Sequence, residues 1–194
     1  NAHDAGLDGV TLTDKGDKVD VTLKELNAGD KISIAGKNYT IGALADDAKK
    51  LYDGVATDGT ATVTVNGKAY TVQDTTPDTA KNEITKANLD KLVTAGVTVE
   101  YNGKSMTVMD ADANGVDKKD SSIITAAAAY KLETAEIVKA SSIGTDTKAT
   151  AGTLTNNTFT LTKGKVNYND ALSFNLHVGA DADMTNKITV NIDS

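Results

Sequence analysis

The chain contains no cysteine, no tryptophan and no arginine; proline occurs once, at Pro77, phenylalanine twice, and histidine twice, at His3 and His177. Without cysteine there is no disulfide frame, thiol nucleophile or thiolate metal site, so stability has to come from packing. Without arginine the forked recognition of phosphate is missing. The 20 basic residues are all lysines, scattered along an acidic chain of net charge −7 and pI about 4.8. That balance argues against nucleic acid as a partner and for an acidic, solvated surface. No stretch approaches the roughly 18 consecutive apolar residues of a membrane-crossing helix, so no span is expected. No signal peptide is recognisable either, so for a protein outside the cell either a leader was removed or export used another route.

Threonine, alanine, aspartate, asparagine, glycine and lysine fill the space those absences leave. Apolar residues at 39% and charged residues at 24% match globular usage, so a folded chain is expected rather than a disordered one. A length of 194 residues suffices for one or two domains with a core.

Short alternating segments fold about their glycines so that apolar residues land on one side. In "TATVTVNGKAYTV" a two-residue turn at Asn66-Gly67 pairs Val65 with Lys68 and Val63 with Tyr70, which gathers Val63, Val65, Tyr70 and Val72. A turn at Asn102-Gly103 gathers Val97, Val99, Tyr101, Met106 and Val108, and one at Ala35-Gly36 gathers Ile32, Ile34, Tyr39 and Ile41. Asn-Gly suits the type I′ turn because both central residues need positive φ; alanine suits it poorly. Two Lys-Gly pairs predict further hairpins, one pairing Leu12 with Val19 and Val10 with Val21, the other Leu161 with Val166 and Phe159 with Tyr168. The closing "FNLHVGADADMTNKITVNIDS" supplies a sixth.

Helical periodicity separates the central hairpins. Leu44, Ala48, Leu51, Tyr52 and Val55 form one stripe, predicting a helix from about Gly42 to Ala56. After Pro77, Ile84, Leu89, Leu92 and Val93 predict a second helix that Gly96 would end. A third is expected after the capping candidates Asp120 and Ser121, along an alanine-rich run whose end near Ile137 reads as helical or extended. The fold class that follows is α+β: antiparallel hairpins with short helices packed on them, in a degenerate hairpin-helix repeat whose turn glycines stand at 36, 67 and 103. Ser141 to Asn157 reads as a linker or irregular loop.

Chemistry is sparse. His177 sits in an alternating segment, opposite in phase to Phe174, Leu176 and Val178, and reads as an ordinary strand residue rather than a general base. No zinc-protease, nucleophile-elbow or phosphate-loop spelling occurs. One motif stands out, "DADANGVDKKDS" from Asp110. Asp110, Asp112 and Asn114 take the first, third and fifth positions of a calcium loop, and Gly115 takes the sixth, where such a loop turns. The second half departs: Ser121 stands where a bidentate carboxylate is needed, Asp120 falls one residue early, and Lys118 would oppose a cation. A hydrophilic loop is the favoured reading and a weak calcium site the alternative. Of the six tyrosines, Tyr39, Tyr70, Tyr101 and Tyr168 fall on hairpin apolar faces and Tyr52 on a helix stripe, which favours core roles over a sugar platform. No catalytic, cofactor-binding or metal residue is assigned, and no enzyme is expected.

With these residues in view, "LSFNLHVGADADMTNKITVNIDS" resembles the conserved segment of bacterial flagellins in which two alternating strands flank a Gly-Ala-Asn/Asp turn. Gly179, Ala180 and Asp181 match the turn, and Ile188, Val190 and Ile192 the strand after it. The Gly-Lys-x-Tyr hairpins and the lack of cysteine and tryptophan are similar to the variable outer regions of that family; the lack of arginine departs from it. The resemblance implies that residues 1–171 are a surface-exposed variable region, with 27–142 the repeated part, and that 172–194 are a partial conserved-region hairpin. It further implies an extracellular place on the flagellar filament and export by the flagellar apparatus. Contacts to other subunits would run through long helices absent from this stretch, leaving the piece monomeric and its surface open to host or antibody contacts. No nucleic acid or membrane partner is expected. The alternative is a carbohydrate- or surface-binding module of an adhesin or surface-layer protein.

Overall fold

Alternation at spacing two in segments such as Lys18–Thr22, where only Val19 and Val21 are buried, builds strands that each offer one face to a core. A computed structural model describes residues 9 to 167. Among them are twelve strands and three α-helices, an α+β architecture as the two periodicities predict. The closing hairpin, His3, His177 and Tyr168 lie outside the described residues. The chain divides into two compact units, one made of Asn1–Ile41 with Ala126–Ser194 and the other of Gly42–Thr125.

In the first unit, β1 (Thr11–Asp14), β2 (Lys18–Thr22), β11 (Thr150–Ala151) and β12 (Thr158–Thr162) form an antiparallel sheet in the order β1-β2-β12-β11. Val19, Val21, Phe159 and Leu161 bury its inner face. The β1–β2 register differs from expectation: Leu12 pairs with Val21 and Asp14 with Val19. A Lys15-Gly16 turn would need positive φ at lysine. The observed four-residue loop needs it only at Gly16, at +85°, and Asp14 Oδ1 accepts the Gly16 N–H at 3.0 Å. The shift is two residues, so every side chain keeps its face.

The Lys163-Gly164 hairpin does not form. φ is positive at neither residue, and β12 pairs with β2 and β11 instead, setting Leu161 against Val19 and Ala151. Gly164 passes so close to Thr145 and Thr147 that a Cβ would lie 2.9 Å from the Thr147 carbonyl oxygen, and Lys165 bridges to Thr147.

Also in this unit, β3 (Lys31–Ile34) and β4 (Lys37–Ile41) pair as expected, Ile32 with Tyr39 and Ile34 with Lys37, and Ala35 adopts φ +52° to close the turn. Helix α3 (Ala126–Ser141) starts later than Asp120 and Ser121, which therefore do not cap it, and stays helical past Ile137. Its buried stripe is Ala129, Glu133, Ile137 and Ser141 with Tyr130 alongside, whose hydroxyl accepts the Leu26 N–H at 2.8 Å. The segment from Ser141 to Asn157, expected as a linker or irregular loop, instead holds the end of α3 and the strand β11 between irregular stretches, and it is anchored: Ala149 is buried and its N–H donates to Ser142 Oγ at 2.9 Å.

The second unit begins with α1 (Ala45–Lys50), followed by β5 (Asp58–Val65), β6 (Lys68–Gln73), β7 (Glu83–Ile84), α2 (Lys86–Leu92), β8 (Thr98–Tyr101), β9 (Lys104–Thr107) and the short β10 (Ile123–Ile124). The sheet order is β7-β6-β5-β8-β9, antiparallel except for β6 and β7, which run parallel. Both Asn-Gly hairpins have the expected register, Val63 facing Tyr70 and Val99 facing Met106. Ala48, Tyr52 and Val55 from the α1 region and Leu89 and Val93 from the α2 region share one buried cluster with Val63, Val65, Val72, Val99 and Val108. Both helices are shorter than their stripes suggest. Leu44 is the N-cap residue of α1 and is exposed, while Ile84 lies in β7 rather than in α2, whose cap is Thr85 accepting the Asn88 N–H at 3.1 Å. The unit's two ends meet: the Gly42 N–H donates to the Ile124 carbonyl at 2.9 Å. Glycine is required there, since a Cβ at residue 42 would strike Met109 Sδ and lie 2.8 Å from Ile123 Cγ2.

Candidate functional site

The loop from Asp110 to Ser122 is where sequence chemistry is densest, and its fold shows what its carboxylates do. Asp112 Oδ1 accepts the N–H groups of Asn114 at 2.8 Å and Val116 at 3.0 Å, closing the bend at Gly115, whose φ is +78°. Asp117 Oδ1 accepts the Asp110 N–H at 2.9 Å, and Asp117 Oδ2 accepts those of Lys119 and Asp120 at 3.1 and 3.0 Å. Asp120 Oδ1 accepts both the amide and the hydroxyl of Ser122. Asp110 pairs instead with Lys118 Nζ, 3.7 Å away.

These contacts favour the ionised form of two of the carboxyls. The Asp110 amide, more than the amides of Lys119 and Asp120, holds the Asp117 carboxyl below the usual aspartate value, and the Ser122 hydroxyl does the same for Asp120. The carboxylates thus serve the main chain around them, as Asx turns. Among the described residues no cluster of three or more histidine or acidic side chains is placed to hold a metal ion. Asp110 and Asp112 stand two residues apart in sequence, but their carboxylates meet different partners, Lys118 Nζ for one and main-chain amides for the other. Asp117 was the residue that sequence reasoning passed over, because calcium-loop spacing gives its position no weight. Its legible signal was an aspartate two and three residues before otherwise unpaired amides.

Two open grooves lie elsewhere among the described residues. In the second unit a groove of about 380 Å³ runs past Thr62, Thr64, Glu100 and Lys104. Its one aromatic residue, Tyr101, is partly buried and packs against the buried cluster. A groove of about 340 Å³ in the first unit is lined mainly by threonine, with Asp20. The tyrosines divide as expected for core roles: Tyr52 and Tyr130 are buried, and Tyr70 and Tyr101 pack at the edge of the second unit's cluster. Tyr70 also carries Lys68 Nζ 5.0 Å from its ring centre. No helix among the described residues is long and apolar enough to cross a membrane. Comparison with protein-family models, with curated proteins and with solved structures found no match.

Proposed function

We propose that the chain is a structural, surface-exposed outer region of a bacterial flagellar filament subunit, extracellular and non-catalytic, which sets the charge and antigenic character of the filament surface. The observation that carries this reading is the join at Gly42 and Ile124, where both ends of the unit Gly42–Thr125 leave side by side. A unit tethered at one place can be added to the outside of an assembly, and can vary, without disturbing the contacts that build it. Its solvent-facing strand positions, such as Thr64, Ala69, Glu100 and Ser105, are polar or small, as suits a surface that faces water. The Gly179-Ala180-Asp181 segment, by its likeness to flagellins, supports the same assignment. Polymerisation contacts belong in this reading to helices of the flagellin type and not to these units.

Filaments sheared from cells that produce the protein, purified and digested, test the proposal. Peptides spanning residues 42–125 at the same abundance as the major filament subunit are expected; their absence from filaments and recovery in the cell-wall fraction would instead favour the adhesin or surface-layer alternative.

A further inference from the structure

Three Asn-Gly pairs occur in the chain, at Asn66-Gly67, Asn102-Gly103 and Asn114-Gly115, and the fold treats them differently. Asparagine followed by glycine is chemically labile because the following amide nitrogen, unhindered by a side chain, can attack the asparagine Cγ. We infer that Asn102 is a site of selective spontaneous deamidation, with water as the co-reactant. The Gly103 nitrogen forms a bond to Asn102 Cγ, the Cγ–Nδ2 bond breaks, and ammonia leaves carrying the Gly103 amide proton. Water then opens the cyclic imide at either carbonyl, leaving aspartate or isoaspartate at 102, with no change of oxidation state.

Hydrogen bonding separates the three sites. Asn66 is held on both sides: its N–H donates to the Thr98 carbonyl at 2.9 Å, and its Oδ1 accepts the Thr98 N–H at 2.9 Å. Its turn joins β5 to β6, and β5 has a neighbour on each side. At Asn114 the attacking nitrogen is occupied, since the Gly115 N–H donates to the Asp112 carbonyl at 3.1 Å, while Asp112 Oδ1 clamps the amides on both sides. Asn102 is exposed, and neither its side chain nor the Gly103 N–H makes a hydrogen bond among the described residues. Its turn is closed by the pair Tyr101–Lys104 and leads into β9, the edge strand. Asn102 has φ +54° in the closed turn, so reaction requires the turn to open, and an edge hairpin opens more readily than an interior one. The product adds a negative charge beside Glu100 and Lys104, at the end of the groove they line.

A time course of the full chain in mildly alkaline buffer, read by peptide mapping and mass spectrometry, tests this. In the folded protein, Asn102 is expected to convert roughly tenfold faster than Asn66, the factor that two modest hydrogen bonds to the turn supply, and faster than Asn114. In denaturant the three rates should converge, because each asparagine precedes glycine. Conversion of Asn66 or Asn114 as fast as Asn102 in the folded chain, no conversion at Asn102, or the same ranking undiminished in denaturant would each overturn the inference.

Discussion

Lys163 Nζ donates to Asp14 Oδ1 across 3.0 Å, joining residues 149 positions apart in sequence and spanning the strand that separates β1 from β12. The lysine is almost fully buried and the aspartate half exposed. The Lys163 bond, with the Gly16 amide second, holds the Asp14 carboxyl below its ordinary value of 3.8. A depressed carboxylate contributes stability that is present above the unfolded value and lost as pH falls through the folded one. Asp14→Asn is therefore expected to lower the urea midpoint near neutral pH and to flatten its decline below pH 3.8. A variant whose acid limb matches the parent would show that the pair carries none of this dependence.

Tyr52 is fully buried and its hydroxyl donates to Asp90 Oδ1 at 2.5 Å, tying the α1 region to α2. Tyr52→Phe keeps the ring and removes the bond, which should cost about 1–2 kcal/mol by denaturant unfolding. Burial, then Asp90, pushes the phenol well above 10.0. A raised value means the stabilisation is complete below the unfolded pKa and is lost as pH climbs beyond it. The parent should lose stability above pH 10.0 more steeply than the phenylalanine variant.

Ala35 holds φ +52° on an exposed turn, a conformation that disfavours any residue with a Cβ except asparagine or aspartate. Ala35→Asn should stabilise the chain by about 1 kcal/mol. Asn66→Ala should do the reverse and lose the Thr98 bond as well. Thermal unfolding of both variants reads the two signs directly.

Millimolar calcium is expected to leave the unfolding temperature unchanged, since Asp112 Oδ1, both Asp117 oxygens and Asp120 Oδ1 already accept main-chain amides. A rise that saturates with calcium and disappears in Asp112→Asn would show that the loop rearranges around a cation.

Residue pattern exposed the local hairpins well, because a two-residue turn sets both its φ requirement and its register. Asn66-Gly67, Asn102-Gly103 and even Ala35-Gly36 close as read. Lys15-Gly16 and Lys163-Gly164 misled because glycine alone satisfies one positive φ and not two. Partners distant in sequence were not legible: β12 reaches back to β2, and nothing local to Leu161 announces Val19. The helix stripes overreached for a related reason. Ile84 precedes Leu89, Leu92 and Val93 in the apolar run that predicts the second helix, yet the β6 edge takes it as a parallel strand. In α3 the buried stripe contains Glu133 and Ser141 while Leu132 faces outward, the opposite of what hydropathy predicts. At the Asp110 loop, residue types were readable but not the allocation of each carboxylate oxygen, which depends on where the backbone amides come to rest.

The central claim, a filament-surface role for the unit Gly42–Thr125, is tested most directly by immunogold electron microscopy with antibodies raised against residues 42–125. Gold particles along the whole length of intact external filaments are the expected result. Labelling confined to the cell envelope, with bare filaments, would contradict it.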